Sequence, residues 1–375
     1  MSGGEGESKP AVLIIGGLGY IGRFLALHLH TNSLASEVRL VDKHLPELAW
    51  LAPEFAEACS RDKFMQADAS QPNNLPRIFN RANGKEFDYV INCGGETRYQ
   101  QEDEVYRVRS LQLSTTIGAE AARRNVKCFI ELSTGMVYKP GSSPRAESAK
   151  QSPWIKLATW KQTAERELSA MEGLNLVVLR LAHVYGPYTP KFVGTALCMA
   201  RVYQYEQREM KWLYSRDLKT NTVHVKDVVR AIWTAAQWYA QKNTQKRPAP
   251  VFNIADQGNT AQGTMADIIT QIFNIPTNFQ NPVMATIAKF CLDSVVDDVN
   301  DETLDPWAEL QEAAGITKAT PLGPYMEKDL LKNLDLSLDP SAFVRETGFQ
   351  YQHPKLTKEE IEAVIESYRS MNWWP

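Results

Sequence analysis

The chain has 375 residues, 43% hydrophobic and 23% charged, the proportions of an ordinary globular protein with room for two modules or one large α/β unit. Its 41 basic and 44 acidic residues leave a formal net charge of −3, without the clustered basic excess that a broad nucleic-acid surface needs. No run approaches the ~18 apolar residues of a membrane helix, and the opening MSGGEGESKP resembles neither a secretory signal nor a transit peptide. The five scattered cysteines never form a CxxC pair, which points to a reducing compartment. A soluble, cytoplasmic α/β protein with no nucleic-acid or membrane partner is expected.

Residues 1–9 read as a flexible polar tail. PAVLII (10–15) is a short apolar run that stops at glycines, the pattern of a strand buried on both faces. Residues 20–30 carry Ile21, Phe24, Leu25 and Leu29 at helical spacing, and EVRLVD (37–42) is a second strand. KFMQAD, a helix near 74–81, FDYVINC, a long helix at 105–124, VKCFIELST, a helix at 154–171 and LNLVVLRL continue the alternation. Strands and helices alternating at ~25–30 residues imply βαβ units and a parallel sheet. Beyond Leu181 the rhythm breaks at YGPYTPK. A helix at 192–205, the strand TVHV (222–225) with a helix after it, the strand VFNIA (251–255) and a last helix at 357–368 follow. Residues 280–335 hold no motif, and the acidic stretch 293–305 reads as a solvated face or loop. The expected fold class is α/β: a Rossmann-type doubly wound parallel sheet (10–180) with a smaller, interleaved C-terminal substrate lobe (181–375), of which 222–255 returns to the Rossmann part.

The first strand runs into GGLGYIG. Glycines at 17, 19 and 22, or equally at 16, 19 and 22, permit a tight turn, close approach to a pyrophosphate and tight helix packing. The next helix offers its N-terminal amides to the anion. Gly16, Gly19, Tyr20, Ile21 and Gly22 are therefore candidate cofactor contacts. Asp42 lies 20 residues past the last glycine, at the end of the second strand. It can bind an adenosine ribose and would repel a 2′-phosphate, which favours NAD, while the neighbouring Lys43 keeps NADP open.

On these residues the chain resembles the extended short-chain dehydrogenases/reductases of the NAD-dependent epimerase/dehydratase type. Asp68 and Ala69 match that family's third-strand acid, implied to lie near the adenine. Cys93 and Gly94, with Gly95, stand where the family places small residues beside the cofactor. LSTGMVY (132–138) resembles its active-site strand, with Thr134 at the catalytic Ser/Thr position. LRLAHVYGP, VHVKDVVRAI and LDPSAFVRETGF resemble its later landmarks.

The family's chemistry rests on Tyr-x-x-x-Lys. The matching helix reads WIKLATWKQTAEREL, which aligns Lys161 with the lysine and Leu157 with the tyrosine. The resemblance implies that Lys161 holds the nicotinamide ribose. An atypical site without its tyrosine is expected, with Thr134, Lys161 and His183 as its catalytic residues. His183, at the end of the sixth strand, is a group that could titrate near neutrality, and Tyr138 and Tyr185 are further proton-donor candidates. Gly135 and Met136 replace the Asp-Glu pair of the family's 4,6-dehydratases. No metal-ligand pattern and no nucleophile elbow is found. The aromatic segment 192–212 suits an apolar small-molecule substrate, while Arg216 and Lys219 keep a nucleotide ligand open. The expected function is an NAD(P)-dependent oxidoreductase or isomerase on an apolar small molecule, with a possible homodimer by helix pairing. The alternatives are a catalytically silent cofactor-binding sensor or scaffold, and an NDP-sugar epimerase-like enzyme.

Overall fold

The computed structural model describes residues 9–242, 248–281, 283, 286 and 290–375. The expected tail at 1–9 lies, but for Lys9, outside the described residues. Seven strands form the main sheet: β1 (Ala11–Ile15), β2 (Glu37–Asp42), β3 (Phe64–Gln66), β4 (Tyr89–Asn92), β5 (Cys128–Thr134), β6 (Leu176–Leu181) and β10 (Val251–Ile254). Their order is β10-β6-β5-β4-β1-β2-β3 and every pairing is parallel. The strands are continuous apolar runs because helices cover both faces: β1 is buried at all five positions and β6 at all six.

On one face lie α1 (Tyr20–Thr31) and α7 (Val225–Gln241), which put Phe24, Leu25, Val228 and Ile232 against Val12, Ile14 and Ile130. On the other lie α2 (Leu75–Phe79), α4 (Leu113–Arg123) and α5 (Lys156–Ala170). There Ile78, Ile117 and Leu168 meet Leu13, Val90 and Phe129. Each fully buried side chain of this kind stabilises the fold by ~1.5–3 kcal/mol. The helix expected over 105–124 is broken in kind. After α3 (Asp103–Tyr106) the chain widens into a π-helical stretch, Arg107–Gln112, before α4 resumes. Such stretches recur at functional sites.

The second lobe packs α6 (Val193–Tyr205), α8 (Gln262–Phe273), α9 (Leu292–Ala313) and the C-terminal α11 (Lys358–Ser370) around Leu197, Ile269, Trp307 and Ile365. The short α10 (Ser341–Thr347) lies against β10 and α7. TVHV does not join the main sheet. Its strand β9 (Thr222–His224) pairs with β7 (His183–Tyr185), and β8 (Met210–Trp212) pairs with β11 (Thr277–Phe279). The acidic stretch is the solvated face of α9 rather than a loop. Val296, Asn300, Thr303, Trp307 and Leu310 recur there at helical spacing and are buried, while the carboxylates take the other side. Among the described residues no helix is long and apolar enough to cross a membrane.

Candidate active site

The strand order reverses between β1 and β4, and the loops that leave these two strands enclose the crevice where α/β sheets bind ligands. Gly16 has φ +69°, and a Cβ there would lie 2.8 Å from the N and Cα of Gly94. Only glycine brings the two loops this close. A Cβ on Gly22 would press into the Gly16 carbonyl oxygen and come within 2.9 Å of Gly17 backbone atoms, so α1 starts hard against the loop. Gly16 N and Gly17 N both donate to Val41 O, at 2.8 and 3.1 Å, and hang the loop on β2. Tyr20 and Ile21 open α1 and are half-buried. Asp42 accepts from Leu18 N and from His44 N, both at 3.2 Å, which sets its carboxylate at the rim of the loop.

Asp68 pairs with Lys43 at 3.0 Å and accepts from Ser70 Oγ at 2.6 Å. Burial raises its carboxyl, but these two partners outweigh burial and hold it below the usual range. Ala69 beside it is buried. Lys43, the cation that kept NADP open, is thus engaged by Asp68. Burial pushes the Cys93 thiol up to about 12. Gly94 packs under Leu113, and Gly95 lies against the ammonium of Lys161. Lys161 Nζ donates to Leu132 O at 2.7 Å. The structure therefore gathers the glycine loop, Cys93, Gly94 and Lys161 around one crevice. It has a glycine cradle, a strand-end acid and a lysine, a donor set that fits a dinucleotide such as NAD(P).

Thr134 ends β5, where its hydroxyl oxygen accepts from Met136 N at 3.2 Å. His183 is stacked flat on Phe192, with centroids 3.8 Å apart and planes 8° apart. Burial holds its imidazole down at about 3. It is therefore neutral at pH 7, unlike the expected group titrating near neutrality. Leu157 stands half-buried one turn before Lys161.

The expectation of a site lacking its tyrosine is corrected by Tyr138, just beyond the end of β5. Its hydroxyl donates to Asn253 Oδ1 at 2.8 Å and accepts from Arg180 at 2.7 Å. Arg180 pairs with Glu165 on α5, which also receives the Ser133 hydroxyl. A continuous buried network of Ser133, Glu165, Arg180, Tyr138 and Asn253 thus runs beside Lys161. Tyr185 is buried elsewhere, edge-on to His224.

His183 also lines a cavity of about 600 Å³ between the lobes, together with Trp154, Phe192, Trp212, Lys219 and Thr220. Arg208, Lys211 and Lys332 add further cations to its wall, and Val295 and Val299 of α9 close another side. Motif reasoning missed this contribution of α9. The signal was the i, i+4 pair of valines among the acids.

A cluster of His224, His353 and Glu360 has ligand-type atoms within 4.8 Å of one another. The two imidazoles are stacked with planes only 22° apart, so their in-plane lone pairs do not converge on one ion. His224 Nδ1 accepts from Lys226 N, where it caps α7.

The sequence pattern of the NAD dependent epimerase/dehydratase family matches residues 12–255. The chain belongs to this family. It is accordingly an NAD(P)-dependent enzyme of oxidoreductase/isomerase type. Among curated proteins none matches its sequence. Among solved structures it is similar to the Bordetella bronchiseptica enzyme WbmG, in complex with NAD and UDP. The identity is 16%, covering 98% of this chain and 97% of that one, with a TM-score of 0.66. It is similar to the UDP-N-acetylglucosamine 4-epimerase of Methanobrevibacter ruminantium in complex with UDP-N-acetylmuramic acid (16%, 97% and 99%, 0.66). A third is the UDP-glucuronic acid 4-epimerase of Bacillus cereus in complex with UDP-glucuronic acid and NAD (15%, 96% and 99%, 0.66). At these identities the likeness is one of fold.

The expectation of an apolar small-molecule substrate is corrected here. The solved relatives hold UDP or UDP-sugars, which are polar and charged, and the cavity wall carries Arg208, Lys211, Lys219 and Lys332 together with Glu209, Glu302 and Glu327, a charged lining that an apolar ligand would desolvate without compensation. The expected homodimer by helix pairing is dropped as well. The exposed positions of α5 are Lys156, Thr159, Arg166, Glu167, Ser169 and Ala170, not an apolar face.

Proposed function

We propose that this family member is an NDP-sugar epimerase-type enzyme that binds a sugar nucleotide in the cavity between the lobes. The observation that carries the reading is the composition of that cavity. Trp212, in a stacked pair with Phe279, offers an aromatic face of the kind a nucleobase packs on. Lys219 lines the same wall and is suited to a phosphate, with Lys211 and Arg208 near it in pairs with Glu209 and with Glu206 and Glu302. The sugar would then lie toward His183 and Thr134, at the mouth of the cofactor crevice.

In this reading Gly16, Gly19, Tyr20, Ile21 and Gly22 hold the cofactor pyrophosphate, Asp42 its adenosine ribose, and Asp68 and Ala69 flank the adenine. Cys93 and Gly94 line the crevice, and Lys161 holds the nicotinamide ribose. NAD, when bound, supplies a reversible hydride acceptor at the sugar carbon. Thr134 would orient the reacting hydroxyl, and neutral His183 would contribute a hydrogen bond rather than a charge. For the proton we look to Tyr138 and its network with Ser133, beside Lys161. Burial raises the Tyr138 phenol to about 12 against the pull of Arg180, so it keeps its proton at neutral pH. Five free cysteines fit a cytoplasmic setting.

The test is to incubate the protein and NAD with a panel of UDP- and TDP-sugars, reading epimer formation by proton NMR, with Lys161→Met as control. Interconversion of one sugar pair in the wild type and none in the variant is the expected result. No turnover across the panel together with no calorimetric binding of UDP or TDP would overturn the reading.

A further inference from the structure

Directly beneath the cofactor crevice lies a carboxylate to which the reading above gives no task. Glu131 occupies the middle of β5 and is fully buried. Its strand neighbours Phe129, Ile130 and Leu132 are apolar, as a central strand covered on both faces demands. A carboxylate at such a position is costly unless it is paired and hydrogen-bonded. Here it is both. It accepts from Asn92 Nδ2 on β4 at 2.7 Å and from Ser114 Oγ on α4 at 2.9 Å. Lys161 Nζ on α5 lies 3.5 Å from its Oε1.

The ammonium of Lys161 is thereby held from two sides, by Glu131 and by the Leu132 carbonyl. Gly95 leaves room for it on a third, since a Cβ there would sit only 3.3 Å from Nζ. An apolar pair of matching volume would stabilise a core as well as this ion pair or better. Stability alone therefore gives no reason for a carboxylate here.

We propose that Glu131 is a positioning residue: a buried carboxylate that fixes the Lys161 ammonium at the mouth of the β1–β4 crevice, with its remaining N–H aimed at the cofactor. The proposal rests on the reading above to the extent that Lys161 touches the cofactor. The groups that face Glu131 are few. Asn92 and Ser114 are neutral, the Cys93 thiol is kept neutral by burial, and Lys161 carries the single charge. Burial raises the Glu131 carboxyl above the usual range against the pull of Lys161. Acidification therefore neutralises it before ordinary carboxylates and loosens the hold on Lys161.

The test uses the full chain and reads NAD binding by protein fluorescence, so that failure of the sugar reading leaves it intact. The variants are Glu131→Gln, Lys161→Met and the double variant. Glu131→Gln is expected to weaken NAD binding at least fivefold when Lys161 is present and less than twofold in the Lys161→Met background. Wild-type binding should weaken on acidification more steeply than that of Glu131→Gln. If Glu131→Gln fails to fold, Glu131→Met, an apolar side chain of similar volume, replaces it with the same expectation. Equal losses with and without Lys161, or unchanged binding in the folded Glu131 variant, would overturn the proposal. A wild type that does not bind NAD would overturn both it and the reading beneath it.

Discussion

Gly22→Ala gives the sharpest test of the cofactor crevice. The added methyl would meet backbone on two sides, at the Gly16 carbonyl oxygen and at Gly17, with no flexible side chain to give way. Heavy atoms rest ~3.5–4.0 Å apart, so relief takes a shift of about 1 Å between the start of α1 and the loop. A hydrogen bond of ~2.9 Å lengthened by that much is no longer one. Two charge-assisted bonds from helix amides to a pyrophosphate, at ~1.5–3 kcal/mol each, amount to ~3–6 kcal/mol, or roughly 10²- to 10⁴-fold in Kd for NAD. Overpacking would also lower stability by ~1–3 kcal/mol. Gly348→Ala separates the two effects. Gly348 caps α10 at φ +73° with open space around it, so alanine there costs about 1–2 kcal/mol of stability without touching the crevice. Fluorescence titration with NAD and thermal melting of both variants make the comparison. If Gly22→Ala binds NAD within about threefold of wild type, the crevice does not hold the cofactor in the manner argued.

Asp42→Asn removes the charge opposed to a 2′-phosphate, and the preference for NAD over NADP should fall by about tenfold, read as a ratio of Kd values. Asp256 is raised to about 6 by burial, which outweighs its bonds to Thr222 Oγ and Gly258 N. Its folded value lies above the unfolded ~3.9, so its contribution to stability is complete below about pH 4 and is lost as the pH rises through 6. Asp256→Asn should therefore melt higher than wild type at pH 8, by an amount equivalent to ~2–3 kcal/mol, and no higher at pH 4. Glu165→Ala strands the buried Arg180 guanidinium and should lower stability by ~3–5 kcal/mol in denaturant titrations. Tyr138→Phe leaves Asn253 Oδ1 and an Arg180 N–H short of a partner, for a loss of ~1–3 kcal/mol. Its NAD affinity should stay at the wild-type value, and turnover should fall ~10²-fold or more if this phenol moves the proton.

Residues close in sequence carried much of the fold. Continuous apolar runs such as AVLII and LVVLRL mark strands covered on both faces, and glycine spacing marks a turn, because backbone sterics are local. The alternation of strands and helices then left few topologies besides a doubly wound parallel sheet. TVHV forms the expected short strand, but four residues say nothing of their partner, and it pairs with 183–185 outside the main sheet. The acidic stretch presents the expected solvated face, and the spacing of Val296, Asn300, Thr303 and Trp307 makes that face one side of a helix rather than a loop.

The site shows the same division more plainly. Gly16 and Gly94 are 78 positions apart, and their contact follows only when β1 and β4 lie side by side. Tyr138 was visible in LSTGMVY, but its network with Arg180 and Asn253 joins three strands or strand ends and exists only in the folded sheet. The electrostatic environment of a side chain is likewise set in three dimensions. His183 reads in sequence as a neutral-range histidine, and burial against Phe192 takes it to about 3. Local pattern determined the strands, the helices and the phosphate loop, since each depends on neighbours along the chain. Tertiary packing decided which carboxylate lies beneath Lys161, which tyrosine joins the network and which walls surround the substrate cavity. Pairing and desolvation depend on partners that are distant along the chain and adjacent only in the fold.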